Sequence, residues 1–251
     1  GMKQMDDNIG YVLKKLEEMG ELDNTIIAFT TDNGAETITF PDGGTTPFKG
    51  GKLSTWEGGM RAPAVIRWPG TIEPGTVFND IFASLDWLPT LVEAAGGPKG
   101  DGLNTQLEAG TYPGIVKTTL DGVNQMAYLT GESETAARDY FMYYSGKDPS
   151  AVRFKNWKMY FAMVSDDPAG FTAGVQPYHW TQVVNIKRDP FETSIGSQTK
   201  TLFGMGGAIA APMTAYVYDW NILPLGQQLW LRELETYRDF PPMQDPSSYN
   251  L

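Results

Sequence analysis

Thr25-Ile26-Ile27-Ala28-Phe29-Thr30-Thr31-Asp32-Asn33-Gly34 is the stretch from which the fold is read. Its first six residues are nearly all apolar or β-branched. They predict a strand buried on both faces, as in a parallel sheet covered by helices. Upstream, Met5, Ile9, Val12, Leu13, Leu16 and Met19 recur at helical spacing, predicting a helix over about 3–19 that Gly20 can stop. Helix followed by buried strand is half of an α/β repeat.

Downstream of the strand, residues 31–60 are rich in turn formers: Gly34, Gly43, Gly44, Gly50, Gly51, Gly58 and Gly59, with Pro41 and Pro47. A loop this long in a compact domain is usually functional. It leaves the C-terminal end of a buried strand, where open α/β sheets bind ligands. Ala64-Val65-Ile66-Arg67-Trp68 reads as a second strand. Ser84 to Gly96 reads as a second helix, with Asp86 as its N-cap and Gly96 as its stop. Residues 97–125 read as irregular and polar. After about residue 137 the pattern changes to consecutive short strands: Tyr140–Tyr144, Ala151–Phe154, Trp157–Phe161 and Gln182–Ile186. Lys155-Asn156 between two of them predicts a tight hairpin, and strands in close succession predict antiparallel pairing. A helix over about 219–238, with Asp219 as N-cap candidate and Leu225, Leu229, Trp230 and Leu234 as its apolar stripe, closes the chain. The division expected is an α/β segment over 1–136 and an antiparallel-sheet subdomain with a terminal helix over 137–251.

Composition excludes several function classes. In 251 residues there are 19 Lys+Arg against 30 Asp+Glu, a net charge of −11 with the one His neutral. Such a chain lacks the basic footprint of nucleic-acid binding and is poorly matched to anionic lipid. No apolar run reaches membrane-spanning length. Without cysteine there is no disulfide, thiolate metal site or Cys nucleophile. One His makes a multi-His zinc site impossible and a Ser-His-Asp triad dependent on His179 alone. The Gly before Met2 reads as a scar of tag removal, and no signal-peptide pattern follows it.

Two motifs carry chemistry. Asp32 offers a charged oxygen and Asn33 a neutral one, and Gly34 lets the backbone turn away. The pair fits a hard cation such as Ca²⁺ or Mg²⁺, although the tripeptide alone more often marks an ordinary Asx turn. Phe48-Lys49-Gly50-Gly51-Lys52-Leu53-Ser54-Thr55-Trp56-Glu57-Gly58-Gly59-Met60-Arg61-Ala62-Pro63 places Lys52 in a Gly-rich loop at the same end of the sheet. Its ammonium can meet an anion held by the metal, or it can be a solvated loop lysine. Trp56 and Glu57 read as loop packing and Arg61 as a structural ion-pair partner.

Taken in order, Thr31-Asp32-Asn33-Gly34, the loop, Gly51-Lys52-Leu53-Ser54-Thr55-Trp56-Glu57-Gly58-Gly59 and Arg61-Ala62-Pro63 resemble the sulfatase family, in particular the C-terminal half of bacterial arylsulfatases. The resemblance continues through Asp6-Asp7-Asn8-Ile9-Gly10, Leu22-Asp23-Asn24-Thr25, Asp86-Trp87-Leu88-Pro89-Thr90 and Leu120-Asp121-Gly122. It ends with Val152-Arg153-Phe154-Lys155-Asn156-Trp157-Lys158 and Asn185-Ile186-Lys187-Arg188-Asp189-Pro190-Phe191-Glu192. It implies an α/β fold: the C-terminal part of an alkaline-phosphatase-like catalytic domain, then a small antiparallel sheet covered by a long C-terminal helix. It implies that Asp32 and Asn33 bind calcium, that Lys52 contacts a sulfate ester, and that the reaction is sulfuric ester hydrolysis. An amide after the Asp, where zinc or manganese members of the superfamily commonly carry His, favours Ca²⁺.

The sequence also departs from that family. The formylglycine nucleophile arises from Cys-x-Pro-Ser-Arg or Ser-x-Pro-Ser-Arg, and neither occurs: Pro149-Ser150 is followed by Ala151, and Pro246-Ser247 by Ser248. His179 matches no family motif and reads as a packing or pocket-rim residue. The expectation is therefore no aryl sulfate turnover by this chain alone. Two side chains out of the roughly 6–8 oxygens calcium takes imply affinity on the order of 10⁻³ M or weaker. An exposed sheet edge implies self-association. A non-catalytic binding or assembly module from a truncated or split sulfatase gene is the alternative from another class. A phosphatase-like hydrolase of the same superfamily is a further one, disfavoured by Asn33. Met163, Phe171, Tyr178 and Trp180 fit either an apolar rim for an aryl group or a core. Periplasmic, secreted and cytoplasmic locations all remain open.

Overall fold

The computed structural model describes residues 1–36, 46–145, 148–163, 176–195 and 219–241. Helix α1 (Met2–Glu18) forms where the apolar spacing predicts it and ends at Met19 and Gly20, whose φ is +73°. None of its residues is buried. Strand β1 (Ile27–Thr30) follows, then a four-residue helix α2 (Glu57–Met60) and strand β2 (Ala64–Arg67). The two strands pair antiparallel, Ile27 opposite Arg67 and Thr30 opposite Ala64. This corrects the parallel, doubly buried strand expected for 25–30: Phe29 and Val65 face each other across the ladder and stay exposed at 43% and 66%. β-Branched content reports a fit to a pleated surface, and it carries no information on strand direction or on what covers the faces.

The middle of the chain is organised by one buried carboxylate. A 3₁₀ turn, Ser84–Asp86, leads into α3 (Trp87–Ala94), and Asp86 is fully buried. Sequence pattern makes it an N-cap for the second helix, yet it makes no side-chain cap to α3. Instead Oδ2 accepts from the Ala83 N–H (2.9 Å) and Gln125 Nε2 (3.0 Å), and Oδ1 from the Val123 N–H (2.9 Å). Arg138 closes the cluster, its Nη2 at 2.5 Å from Oδ1. The charge is thus both paired and hydrogen-bonded, which burial requires. Residues 97–125 are not wholly irregular. Helix α4 (Gly102–Ala109) occupies 102–109, held by Leu103 and Leu107 and stopped by Gly110 at φ +68°. A single turn, α5 (Met126–Leu129), follows.

The C-terminal part is a four-stranded antiparallel sheet in the order β3 (Tyr140–Ser145), β4 (Asp148–Phe154), β5 (Trp157–Met163), β6 (Gln176–Asn185). The two-residue turn Lys155-Asn156 joins β4 to β5, with Phe154 opposite Trp157 and Lys155 at φ +51°. Because side chains alternate along a strand, the sheet builds two cores. Met142, Val152, Met159 and Val183 line up across the register and pack under Leu229 of α6 (Leu223–Asp239). Tyr143, Ala151, Tyr160 and Val184 face the other way and pack with Trp56, Ile186 and Ile195. Leu229 is buried and Trp230 stands edge-on to Phe161 at 4.0 Å, as the helical stripe predicts, while Leu234 at its far end is exposed. Gly226 lets the helix approach, since a Cβ there would overlap Met159 Sδ.

Candidate functional site

The tip of β1 is set by backbone bonds to the Gly-rich loop. The Gly34 N–H donates to the Gly59 carbonyl (2.8 Å), and the Lys52 N–H donates to the Ala35 carbonyl (2.9 Å). Gly58 N–H in turn donates to the Lys49 carbonyl (2.8 Å), which folds the loop back on itself. Glycine is required at 34 by contact: a Cβ there would overlap the Gly58 carbonyl oxygen. The Lys52 backbone is therefore anchored two residues beyond Asn33. Its ammonium lies 3.6 Å from Glu36, both side chains being well exposed, so this pair is weak and easily exchanged.

Asp32 is exposed and Asn33 half-buried. Asp32 Oδ1 accepts the Asn33 N–H (2.9 Å) and the Thr31 hydroxyl (3.4 Å); the N–H two residues on, at Gly34, goes to the Gly59 carbonyl, so the Asx turn that the tripeptide favours is not formed. Asn33 Nδ2 donates to the Gly34 carbonyl (2.8 Å), which fixes which end of the amide is the oxygen. Among the described residues, Asp32 Oδ2 and Asn33 Oδ1 accept no hydrogen bond. One carboxylate and one amide oxygen at a strand tip suit a hard cation as a partial shell. No group of three His, Cys, Asp or Glu able to hold a metal occurs among the described residues.

Behind this loop lies a buried ionic cluster that joins Glu57, which the sequence reads as loop packing, to Lys158 and Glu192, to which the sequence assigns no role. Lys158, Glu57 and Glu192 are buried to 0%, 2% and 0% exposure. Lys158 Nζ donates to Glu57 Oε1 (2.9 Å) and the Thr55 carbonyl (2.8 Å), and sits 3.2 Å from Glu192 Oε1. Glu192 Oε2 accepts the Glu57 N–H (2.8 Å), and its Oε1 accepts the Tyr160 hydroxyl. Tyr143 donates to Glu57 Oε1 (3.1 Å) and offers its ring face to the ammonium at 4.0 Å. Burial alone raises the Glu57 carboxyl. The charge and hydrogen bond of Lys158, aided by Arg153 and Tyr143, outweigh it and hold the pKa below the usual carboxylate value. Burial, then the neighbouring carboxylates, push the Tyr143 and Tyr160 hydroxyls well above their ordinary range. The available signal was a lysine inside the otherwise apolar strand Trp157-Lys158-Met159-Tyr160-Phe161, a position charged residues occupy only when paired.

The remaining predicted residues fall as follows. Trp56 is buried against Tyr160 (4.7 Å) and under Lys49 (4.0 Å), which agrees with packing. Arg61 lies over the Phe48 ring at 4.6 Å and makes no ion pair with a described residue, correcting the ion-pair reading. Tyr178 packs on the Trp56 core. His179 and Trp180 lie in β6, with side chains outside the described residues, as are the side chain of Met163 and all of Phe171.

The model of the sulfatase family matches residues 1–97. Human arylsulfatase A is 30% identical over 220 residues, covering 82% of this chain and 39% of that protein. Mouse steryl-sulfatase is 30% identical over 179 residues, 67% of this chain and 26% of that protein. Human N-acetylgalactosamine-6-sulfatase is 31% identical over 177 residues, 69% and 30%. The chain thus spans less than half the length of the curated relatives it matches. Among solved structures, the PsFucS1 sulfatase from Pseudoalteromonas sp. superposes with TM-score 0.74 and 25% identity over 97% of this chain and 43% of that one. With its α/β strand tip, its antiparallel sheet and its terminal helix, the chain belongs to the sulfatase family, of the alkaline-phosphatase-like fold.

Proposed function

We propose that this chain is the C-terminal part, 1–136 and 137–251 together, of an arylsulfatase-type sulfuric ester hydrolase. In this reading Asp32 and Asn33 are calcium ligands and Lys52 binds the sulfate ester. The observation that carries it is the Lys52–Ala35 backbone bond, which ties the lysine loop to the segment bearing the two oxygen donors. Calcium, when bound, supplies a positive charge against which sulfate oxygens and the nucleophile can be held. Asp32 and Asn33 would hold it through one carboxylate and one neutral oxygen, the rest of its shell coming from other residues. Lys52 leaves its loose pair with Glu36 and meets the sulfate. There its ammonium neutralises charge growing on the leaving oxygen. The formylglycine nucleophile is expected outside this chain. The exposed edge of the β1–β2 ribbon is proposed to mediate self-association.

The test is p-nitrophenyl sulfate turnover by this chain and by the product of the complete reading frame. The chain alone is expected to be inactive. In the complete product, Lys52→Ala is expected to lower kcat by about 100-fold, near 3 kcal/mol in the barrier. Near-normal turnover by that variant, or catalysis by the chain alone, would refute the assignment.

A further inference from the structure

The Lys52 loop is gripped on both flanks by side chains and carbonyls outside it. Before Lys52, the Lys49 ammonium donates to the Ile195 carbonyl at 2.6 Å. After Lys52, the Glu57 N–H is held by Glu192, and the Thr55 carbonyl by Lys158. Residues 189–195 therefore touch the loop at both ends. That segment is itself fixed, because Asp189 accepts the N–H groups of Thr193 (3.0 Å) and Ser194 (2.9 Å). Lys158 comes from the centre of the sheet, next to the β4 row, and has no freedom to follow a moving loop.

A buried ion cluster of this kind is a poor source of net stability. Apolar residues of the same volume commonly do as well, because desolvating the charges offsets their attraction. What such a cluster does deliver is one register: any other placement of the loop leaves a carboxylate or an ammonium buried and unpaired. Here the Lys158 ammonium meets the Thr55 carbonyl and the Glu57 carboxylate, and Glu192 Oε2 meets the Glu57 N–H, only with Thr55 and Glu57 where they stand. In this placement Lys52 also reaches Ala35.

We propose that Lys158, Glu192 and Glu57 are positioning residues that lock the 49–59 loop and thereby hold the Lys52 backbone on Ala35, two residues beyond Asn33, coupling the C-terminal sheet to the candidate sulfate site. What Lys52 does there rests on the sulfatase reading; the locking does not.

Native-state hydrogen exchange on the full chain tests the locking. In Glu192→Ala the amides of Gly34, Lys52 and Gly58 are expected to exchange about 100-fold faster than in the parent. Amides of β4 and β5 are expected to stay within about threefold. Glu192→Gln keeps an oxygen for the Glu57 N–H and is expected to restore most of the protection, leaving the loop about tenfold faster. A residue that merely stabilises the fold would move loop and strand amides together. That outcome, or no change in either set, overturns the proposal. Should the Glu192 variants fail to fold, Tyr160→Phe decides it, since it removes one donor from Glu192 and keeps the ring against Trp56. The same loop-only acceleration, about threefold or more, is expected, and its absence overturns the proposal. Turnover separates the two readings. If Lys52→Ala leaves turnover intact, the sulfate role falls while the exchange contrast stands. If turnover needs Lys52 and the contrast is absent, only the positioning role falls.

Discussion

The sheet β3–β6 is covered on both faces, and the ribbon β1–β2, among the described residues, on neither. In the first, Ala151, Val152, Met159 and Tyr160 are essentially inaccessible. In the second, Phe29 and Val65 oppose each other in the open, and α1 beside it in sequence buries nothing. Both regions have strongly patterned sequences, so pattern does not separate them. The difference lies in what packs on them. The sheet receives α6 on one side and the 48–60 and 189–195 loops on the other. Periodicity says which residues share a face, and only tertiary partners decide whether that face is dry.

The largest effect expected from this contrast is at Lys158. Lys158→Met fills the same volume and leaves Glu57 and Glu192 buried without their cation. Breaking a buried pair from one side costs about 3–5 kcal/mol, to be read from the midpoint of urea unfolding. A shift below about 1 kcal/mol would mean the sheet core tolerates unpaired charge, and the distinction between the two regions would lose its energetic content.

The next effect compares two glycines. Gly34→Ala drives a methyl into the Gly58 carbonyl, a backbone atom that cannot swing aside. A loss of about 1–3 kcal/mol is expected, of the size seen for overpacking, together with weaker protection of the Lys52 amide. Gly10→Ala, in open space inside α1, should instead stabilise by about 0.5–1 kcal/mol through helix propensity. Opposite signs in thermal melts support the contrast. Destabilisation at Gly10 would reveal a contact on α1 that the described residues do not make.

Legibility in the sequence followed the range of the interactions involved. The hairpin at Lys155-Asn156, helix α1 and the stripe through Leu225 and Leu229 are local, and their residues name them. The four-residue spacing of Leu103 and Leu107 was also present, but Gly102, Asn104 and Thr105 lower helix propensity enough to hide α4. Strand β1 was visible as a strand, whereas its antiparallel partner lies across the long glycine-rich loop. Asp86 looked like a cap because Asp before a helix usually is one. Its partners Gln125 and Arg138 are distant in sequence. For the candidate site, the Asp32-Asn33-Gly34 and Lys52 motifs are local sequence patterns, and their roles stay with the proposal. The cluster behind them joins Glu57, Lys158 and Glu192, residues more than a hundred positions apart at its extremes, and no local spacing encodes that.

The smallest effect on stability should carry the clearest effect on association. Val65 is 66% exposed and pairs with Phe29 on a two-stranded ribbon, so each strand has one edge without a ladder partner among the described residues. Lysine on such an edge is a common device against edge-to-edge pairing, since a second copy would have to bury the ammonium. Val65→Lys removes little buried area and should change unfolding free energy by less than about 0.5 kcal/mol. Static light scattering across a concentration series should nevertheless fall toward the monomer value. If scattering is unchanged, the copies do not meet through this ribbon, and the exposure of Phe29 and Val65 has no consequence for assembly. If stability drops by several kcal/mol, the ribbon is packed in solution in a way the chain's own described residues do not provide.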